Sequence, residues 1–148
     1  MLRTAGLLEF PEFFPPSDEE LLAEDSYWQQ KIVTSGRWIF LLFDGDAPVG
    51  LTGMRERAED GPGDIYLIAS YLLPNYRGQG NSRYFYEARL GHAKNVLGKT
   101  RALINHRDTN AASAASMRKH GFIEIGRRED IPFGDGTTGT LVDYELKL

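Results

Sequence analysis

The stretch Arg77-Gly78-Gln79-Gly80-Asn81-Ser82 sets two glycines among polar residues, between an apolar run and a helical pattern. A turn of this kind binds anions. Glycine lets the backbone come close to a ligand, and the free N–H groups and dipole of a following helix favour negative charge. An ordinary strand-to-helix connection reads the same way locally, so the turn alone decides nothing. Two common nucleotide motifs are excluded: no Gly-x-x-x-x-Gly-Lys-Ser/Thr occurs, and Arg83 stands where the dinucleotide fingerprint needs its third glycine. Among groups that move protons, His106 follows a short strand pattern, and an imidazole is suited to take a proton near neutral pH. His92 and His120 fall on helical surfaces, and Tyr66, Tyr71, Tyr84 and Tyr86 surround the turn. No two histidines have metal-ligand spacing, so no metal is expected.

These residues need elements to hold them. Ile65–Leu73 is a nearly continuous apolar run, as for a strand buried on both faces, and Pro74 ends it. After the turn, Tyr86, Leu90, Ala93 and Leu97 form one helical stripe. Arg37–Phe43 and Pro48–Arg57 read as a hairpin about Asp44-Gly45-Asp46-Ala47, and Arg101–Asn105 as a further strand. Thr109-Asn110 caps a helix over Ala111–Lys119, and Gly121 terminates it in the left-handed region. Ile123–Ile131 and Thr140–Leu148 are the last strands. Near the start, Met1–Glu9 holds a short helical fragment, followed by the aromatic, proline-broken loop Phe10–Pro16. Ser17 and Glu20 read as a capping box opening one helix, with Leu21, Trp28 and Ile32 packed on the sheet. The pattern predicts a mixed α/β sheet with helices on both faces.

Composition agrees with one domain over residues 1–148. Hydrophobic content of 41% and charged content of 26% are those of a soluble globular chain. Without cysteine there is no thiol catalysis, disulfide or zinc–thiolate site. No apolar run reaches the ~18 residues of a membrane span, and no signal-peptide pattern opens the chain, so a cytoplasmic location is expected. A formal charge of −4 argues against nucleic acid and mildly favours cationic acceptors.

Tyr71-Leu72-Leu73-Pro74-Asn75-Tyr76-Arg77-Gly78-Gln79-Gly80-Asn81-Ser82 resembles the coenzyme A-binding motif of the GNAT N-acetyltransferase superfamily, Gln/Arg-x-x-Gly-x-Gly/Ala after a strand ending in a proline turn. Arg77 and Gly80 fit, and Ser82 takes the last small-residue place. Asn110-Ala111-Ala112 through Lys119-His120-Gly121-Phe122 resembles the family's Asn-x-x-Ala…Lys-x-Gly-Phe segment. The resemblance spans roughly Ser17 to Leu148. It implies a mostly antiparallel central sheet, here without the family's usual first strand, and acetyl-coenzyme A as cosubstrate. An edge left unpaired by the missing strand makes a homodimer an expectation.

The resemblance also assigns roles. Backbone N–H groups from Gln79 to Arg83 (Gln79, Gly80, Asn81, Ser82, Arg83) would hold the pyrophosphate with Gly78, and Arg77 and Arg83 would add charge. Ser70, Tyr71 and Leu72 match the splayed strand end that meets pantetheine. Asn110 matches an asparagine that touches the coenzyme arm, although a plain helix N-cap explains it equally. The N-terminal loop, with Phe13, Phe14 and Tyr27, would wall the acceptor pocket together with the final strand pair. The proton carriers do not match. Met117 stands where many members carry a tyrosine acid, and Asn105 lies near the place of a glutamate found in others. A thioether has no proton to give. His106, Ser116 and Tyr71 are the substitutes that remain. The leading reading is transfer of an acetyl group to a primary amine of a small molecule or protein, without the usual tyrosine acid. The alternatives are a coenzyme A-binding module with a sensing or regulatory role, and a domain keeping only the fold.

Overall fold

The computed structural model describes residues 1–148. Six strands form one sheet in the order β1-β2-β3-β4-β6-β5, from β1 (Arg37–Asp44), β2 (Ala47–Arg55), β3 (Asp64–Leu72), β4 (Arg101–Arg107), β5 (Ile123–Pro132) and β6 (Thr138–Lys147). All pairs are antiparallel except β3–β4. The expected mixed sheet therefore forms, and the chain enters it from a helix rather than a strand.

Alternation along the strands divides the side chains between two faces. On one, Met54, Ile65, Leu67, Ala102, Ile104, Val142 and Tyr144 build a core with α4 (Ser82–Asn95) and α5 (Ala111–Lys119). Tyr86 and Ala93 are buried there, with Leu90 and Leu97 packed against them, as the helical stripe requires. Phe85 and Arg89 are buried as well, which widens the buried face of α4 beyond that stripe. The other face receives α1 (Leu2–Glu9), whose Gly6 lies so close to Tyr71 that a Cβ would come within 3.0 Å of the ring.

The capping box at Ser17 does not form. The Ser17 hydroxyl donates to the Pro15 carbonyl, and Glu20 pairs with Arg3. The expected single helix is two pieces, α2 (Asp18–Leu21) and α3 (Asp25–Val33), and neither holds a buried residue. Leu22 and Ile32 are exposed, so the stripe Leu21, Trp28, Ile32 does not lie along one sheet-facing surface. A single buried face over this segment would need an unbroken 3.6-residue period, and the interruption at residues 22–24 removes it.

Gly121 adopts a φ of +86° and ends α5 as expected. The N-cap of that helix is Asn110, whose Oδ1 accepts from the Ser113 N–H at 3.0 Å, a cap worth about 1 kcal/mol.

Candidate active site

β3 and β4 run parallel but stay paired for only three positions, Asp64–Arg101, Ile65–Ala102 and Tyr66–Leu103. Beyond them β3 continues to Leu72 and β4 to Arg107 without pairing. The sheet thus opens as a wedge, and the backbone polar groups of residues 67–72 on that side lack a strand partner. A bulge opposite Thr52 accompanies the opening. Ala69 takes a φ of +49°, a left-handed conformation costing a residue with a Cβ roughly 1–2 kcal/mol. The bulge turns Ser70 so that its hydroxyl shares a 2.9 Å hydrogen bond with Thr52.

The wedge leads into the glycine turn. Gly78 and Gly80 have φ of +71° and +78°, and a Cβ built on either meets nothing within 4 Å. The N–H groups of Gly78, Gln79, Gly80, Asn81 and Ser82 donate to no protein acceptor. The N–H of Arg83 donates to Gly80 O, so the free run lies one residue earlier than Gln79–Arg83. Open glycines, a run of free donors and the start of a 14-residue helix suit a pyrophosphate. The side chains of the turn face elsewhere. Gln79 donates to Asn75 O, Asn81 to Tyr76 O, and Arg83 to the Tyr84 hydroxyl.

Arg77 is held away from the turn. Its Nε donates to Leu72 O at 2.8 Å and its two Nη atoms grip the Glu9 carboxylate, fastening α1 to the end of β3. Tyr71 donates to the same carboxylate at 2.8 Å. The Arg77 and Tyr71 hydrogen bonds lower the Glu9 carboxyl from 4.5 to about 2. A depressed carboxyl contributes stability that is present above its unfolded value and lost as pH falls through its folded value. Thermal unfolding followed from pH 5 to about pH 2 should therefore show a steeper loss of Tm for the native chain than for Glu9→Gln, with the two curves converging at the acid end. Parallel curves would show that the clasp contributes nothing.

The candidate proton carriers separate. Met117 is buried in the core, as an apolar filler. His106 is not in a loop: it is the penultimate residue of β4, buried, with its ring nitrogens near Arg107 O at 2.6 Å and the Tyr144 hydroxyl at 3.3 Å. It points to the α5 side of the wedge, as the alternation with Ala102 and Ile104 dictates. Ser116 is half-buried beside Met117, and Tyr71 is engaged by Glu9 under α1. His92 and His120 are less exposed than helical surface positions suggest. His120 stacks on Tyr86 at 3.9 Å between centroids, and His92 buries an unpartnered Nε2.

The sequence matches the acetyltransferase (GNAT) family model over residues 4–122. The chain belongs to the GNAT acetyltransferase family. The match begins inside α1, earlier than the Ser17 boundary that the motifs suggested. No curated protein matches the sequence. Among solved structures, Mycobacterium smegmatis RimJ in complex with CoA-disulfide is similar with a TM-score of 0.80 and 15% identity, covering 99% of this chain and 74% of that one. The ribosomal-protein-S18-alanine N-acetyltransferase of Escherichia coli gives 0.68 and 18%, over 84% and 77%. A variant of the spermidine N-acetyltransferase SpeG of Vibrio cholerae gives 0.71 and 15%, over 82% and 72%. At these identities the likeness is one of fold.

On the face opposite α4 and α5, this GNAT chain has a cavity of about 310 Å³ at the apex of the wedge, where the β3–β4 pairing ends. Phe13 and Pro15 wall it from the N-terminal loop, Ile131, Phe133 and Leu141 from the final hairpin, and Tyr66 and Asn105 from β3 and β4. Phe14 and Tyr27 do not line it; Phe14 lies under the Arg3 guanidinium, and Tyr27 packs edge-on against Trp28. Arg107 holds the two loops together, donating to Glu12 O and to Thr137 and lying over the Phe133 ring at 4.3 Å. The Gly134 N–H reaches Phe14 O at 2.8 Å and ties the same two loops. Sequence reasoning missed the Asn105–Tyr66 pair, in which the amide of Asn105 donates to the Tyr66 hydroxyl. Burial raises the Tyr66 hydroxyl above its usual range, so it stays protonated near neutrality. The signal was present: Tyr66 and Asn105 lie on the inward side of adjacent strands, two positions apart in register.

Proposed function

We propose that the chain transfers an acetyl group from acetyl-coenzyme A to a primary amine, with the two substrates meeting in the wedge between β3 and β4. The observation that supports this reading most directly is the continuity of three features: a turn of free N–H donors, an unpaired strand edge, and a cavity on the opposite face reaching Tyr66 and Asn105. The glycine turn would hold the pyrophosphate, and the unpaired edge at Ser70–Leu72 would receive the pantetheine amides. A thioester arrives already activated, so the protein's work is to position it, polarise its carbonyl and manage protons.

Met117 gives the leaving thiolate no proton. A thiolate is stable enough near neutral pH to leave with water as its only proton source. The incoming ammonium must lose a proton before attack, and His106 and Tyr66 flank the wedge from its two sides. The Tyr66 hydroxyl lines the cavity but is held protonated. His106 lies across the sheet with both ring nitrogens engaged, so in this reading His106 takes the proton only through water in the wedge.

Calorimetric titration with acetyl-coenzyme A, followed by thiol release on a panel of amines, tests the proposal. Micromolar binding and amine-dependent thiol release are expected. Binding without release on any amine would leave a coenzyme-binding module; no binding by folded protein would overturn both readings.

A further inference from the structure

The acceptor-side cavity holds one guanidinium that no carboxylate answers. Three guanidiniums, Arg55, Arg57 and Arg128, line it against one carboxylate, Glu59. Two of the three are neutralised by neighbours. Arg57 is held bidentately by Asp60 at 2.7 Å, with Glu59 at 3.5 Å, and Arg128 is held bidentately by Asp143. Arg55 is different. It makes no hydrogen bond and no ion pair, and its Nε is wholly buried without an acceptor.

Its neighbour across the hairpin makes the imbalance larger. Arg37 on β1 stands directly opposite Arg55 and also pairs with no carboxylate. Burial and the positive charge of Arg55 push the Arg37 guanidinium below its usual range. The carboxylate that influences it, Glu20, is already engaged by Arg3 at 2.8 Å. Two adjacent, half-buried cations without counterions are costly to keep, and each loses the charge-assisted hydrogen bonds a guanidinium can make.

Resting on the acetyl-transfer reading above, we infer that the acceptor is a small amine that also carries an oxyanion, carboxylate or phosphate, and that Arg55 binds this group with Arg37 behind it. The Phe14–Gly134 contact and the Arg107 bridge tie the two loops together beside a cavity of about 310 Å³, room for a small amine. A guanidinium fork matches a carboxylate or phosphate in two parallel hydrogen bonds, and that fixes where the amine end lies. The net charge of −4, which favours cationic acceptors, is a property of the surface at large and not of this cavity.

The test uses four amine acceptors with saturating acetyl-coenzyme A: γ-aminobutyrate, its carboxamide, 2-aminoethyl phosphate and spermidine. The native protein should acetylate an anionic member with kcat/KM at least about tenfold above the carboxamide and spermidine, a gap of about 1.4 kcal/mol. Whether the carboxylate or the phosphate is preferred decides the source of the oxyanion. Arg55→Gln should raise KM for the preferred anionic amine about tenfold or more with little change in kcat, and leave acetyl-coenzyme A binding unchanged by calorimetry. Arg55→Lys should recover part of the loss, since it restores the charge without the fork. A preference for spermidine, or equal kcat/KM for acid and carboxamide, in protein that binds acetyl-coenzyme A, overturns the inference and leaves the acetyl-transfer reading standing. Failure to bind acetyl-coenzyme A overturns both.

Discussion

Gly80→Asp should abolish measurable binding of acetyl-coenzyme A while leaving the protein folded. Two effects combine. Gly80 has a φ of +78°, where a side chain costs about 1 kcal/mol or more, and a new carboxylate would stand among the free N–H groups of Gly78–Ser82. Those donors favour an anion, so aspartate would satisfy them from within and repel the pyrophosphate. A loss of at least a hundredfold in affinity, about 2.7 kcal/mol, is expected by calorimetry. The position is open, with no atom within 4 Å of a built Cβ, so circular dichroism should be unchanged and the unfolding midpoint should fall only by the few degrees that the backbone strain costs. Gly80→Ala separates the two contributions, because it adds the strain without the charge. Undiminished affinity in Gly80→Asp would remove the turn from the coenzyme site.

Asp64→Ala should produce the largest loss of stability. Asp64 is almost buried at the closed end of the wedge. It accepts from Arg101 through both oxygens at 2.7 and 2.6 Å and from the Gly61 N–H at 2.9 Å. These bonds hold its carboxyl below the usual range, the Arg101 pair first among the causes. Arg101 is 43% exposed, so water compensates much of what it loses with Asp64, and the cost is about 1 to 2 kcal/mol. Arg101 retains Glu145 at 3.2 Å, which moderates the effect. Denaturant unfolding should show a lower midpoint at neutral pH. The difference from the native chain should shrink as acid protonates Asp64, because its contribution is lost as pH falls through the depressed value. An unchanged midpoint would mean that the β3–β4 junction holds without this pair.

Much of the fold was legible because it rests on local rules. The run Ile65–Leu73, the glycine turn and the stripe Tyr86–Leu97 lie where periodicity put them, and Gly121 ends its helix as a left-handed glycine should. The segment Ser17–Val33 misled because a good capping pattern competes with tertiary partners. Arg3, seventeen residues away in sequence, takes Glu20 from the capping box. His106 read as a loop residue because the polar trio Asn105-His106-Arg107 hides a strand end whose side chains alternate between two filled faces. The turn's donors and the candidate coenzyme edge were legible from glycine and proline alone. The arginines of the acceptor cavity were not. Whether an arginine has a carboxylate partner depends on which strands become neighbours, and β2, β3, β4, β5 and β6 meet there only in three dimensions.

The brief pairing of β3 with β4 divides the sheet along the sequence as well as in space. Strands β1, β2 and β3 are one uninterrupted meander within residues 37–72, and β4, β5 and β6 occupy 101–147. Each half closes its own ladder with short-range hairpins or near neighbours, while only three residue pairs stitch them together. Cooperative opening follows contiguous units of this kind, so the seam is the natural place for the least protected amides of the sheet interior. A ligand lying in the seam would contact both units at once and bind only when they are docked. Its binding energy would then add directly to the cohesion of the two halves, and amide exchange along 67–72 and 104–107 would report occupancy more sensitively than the unfolding midpoint does.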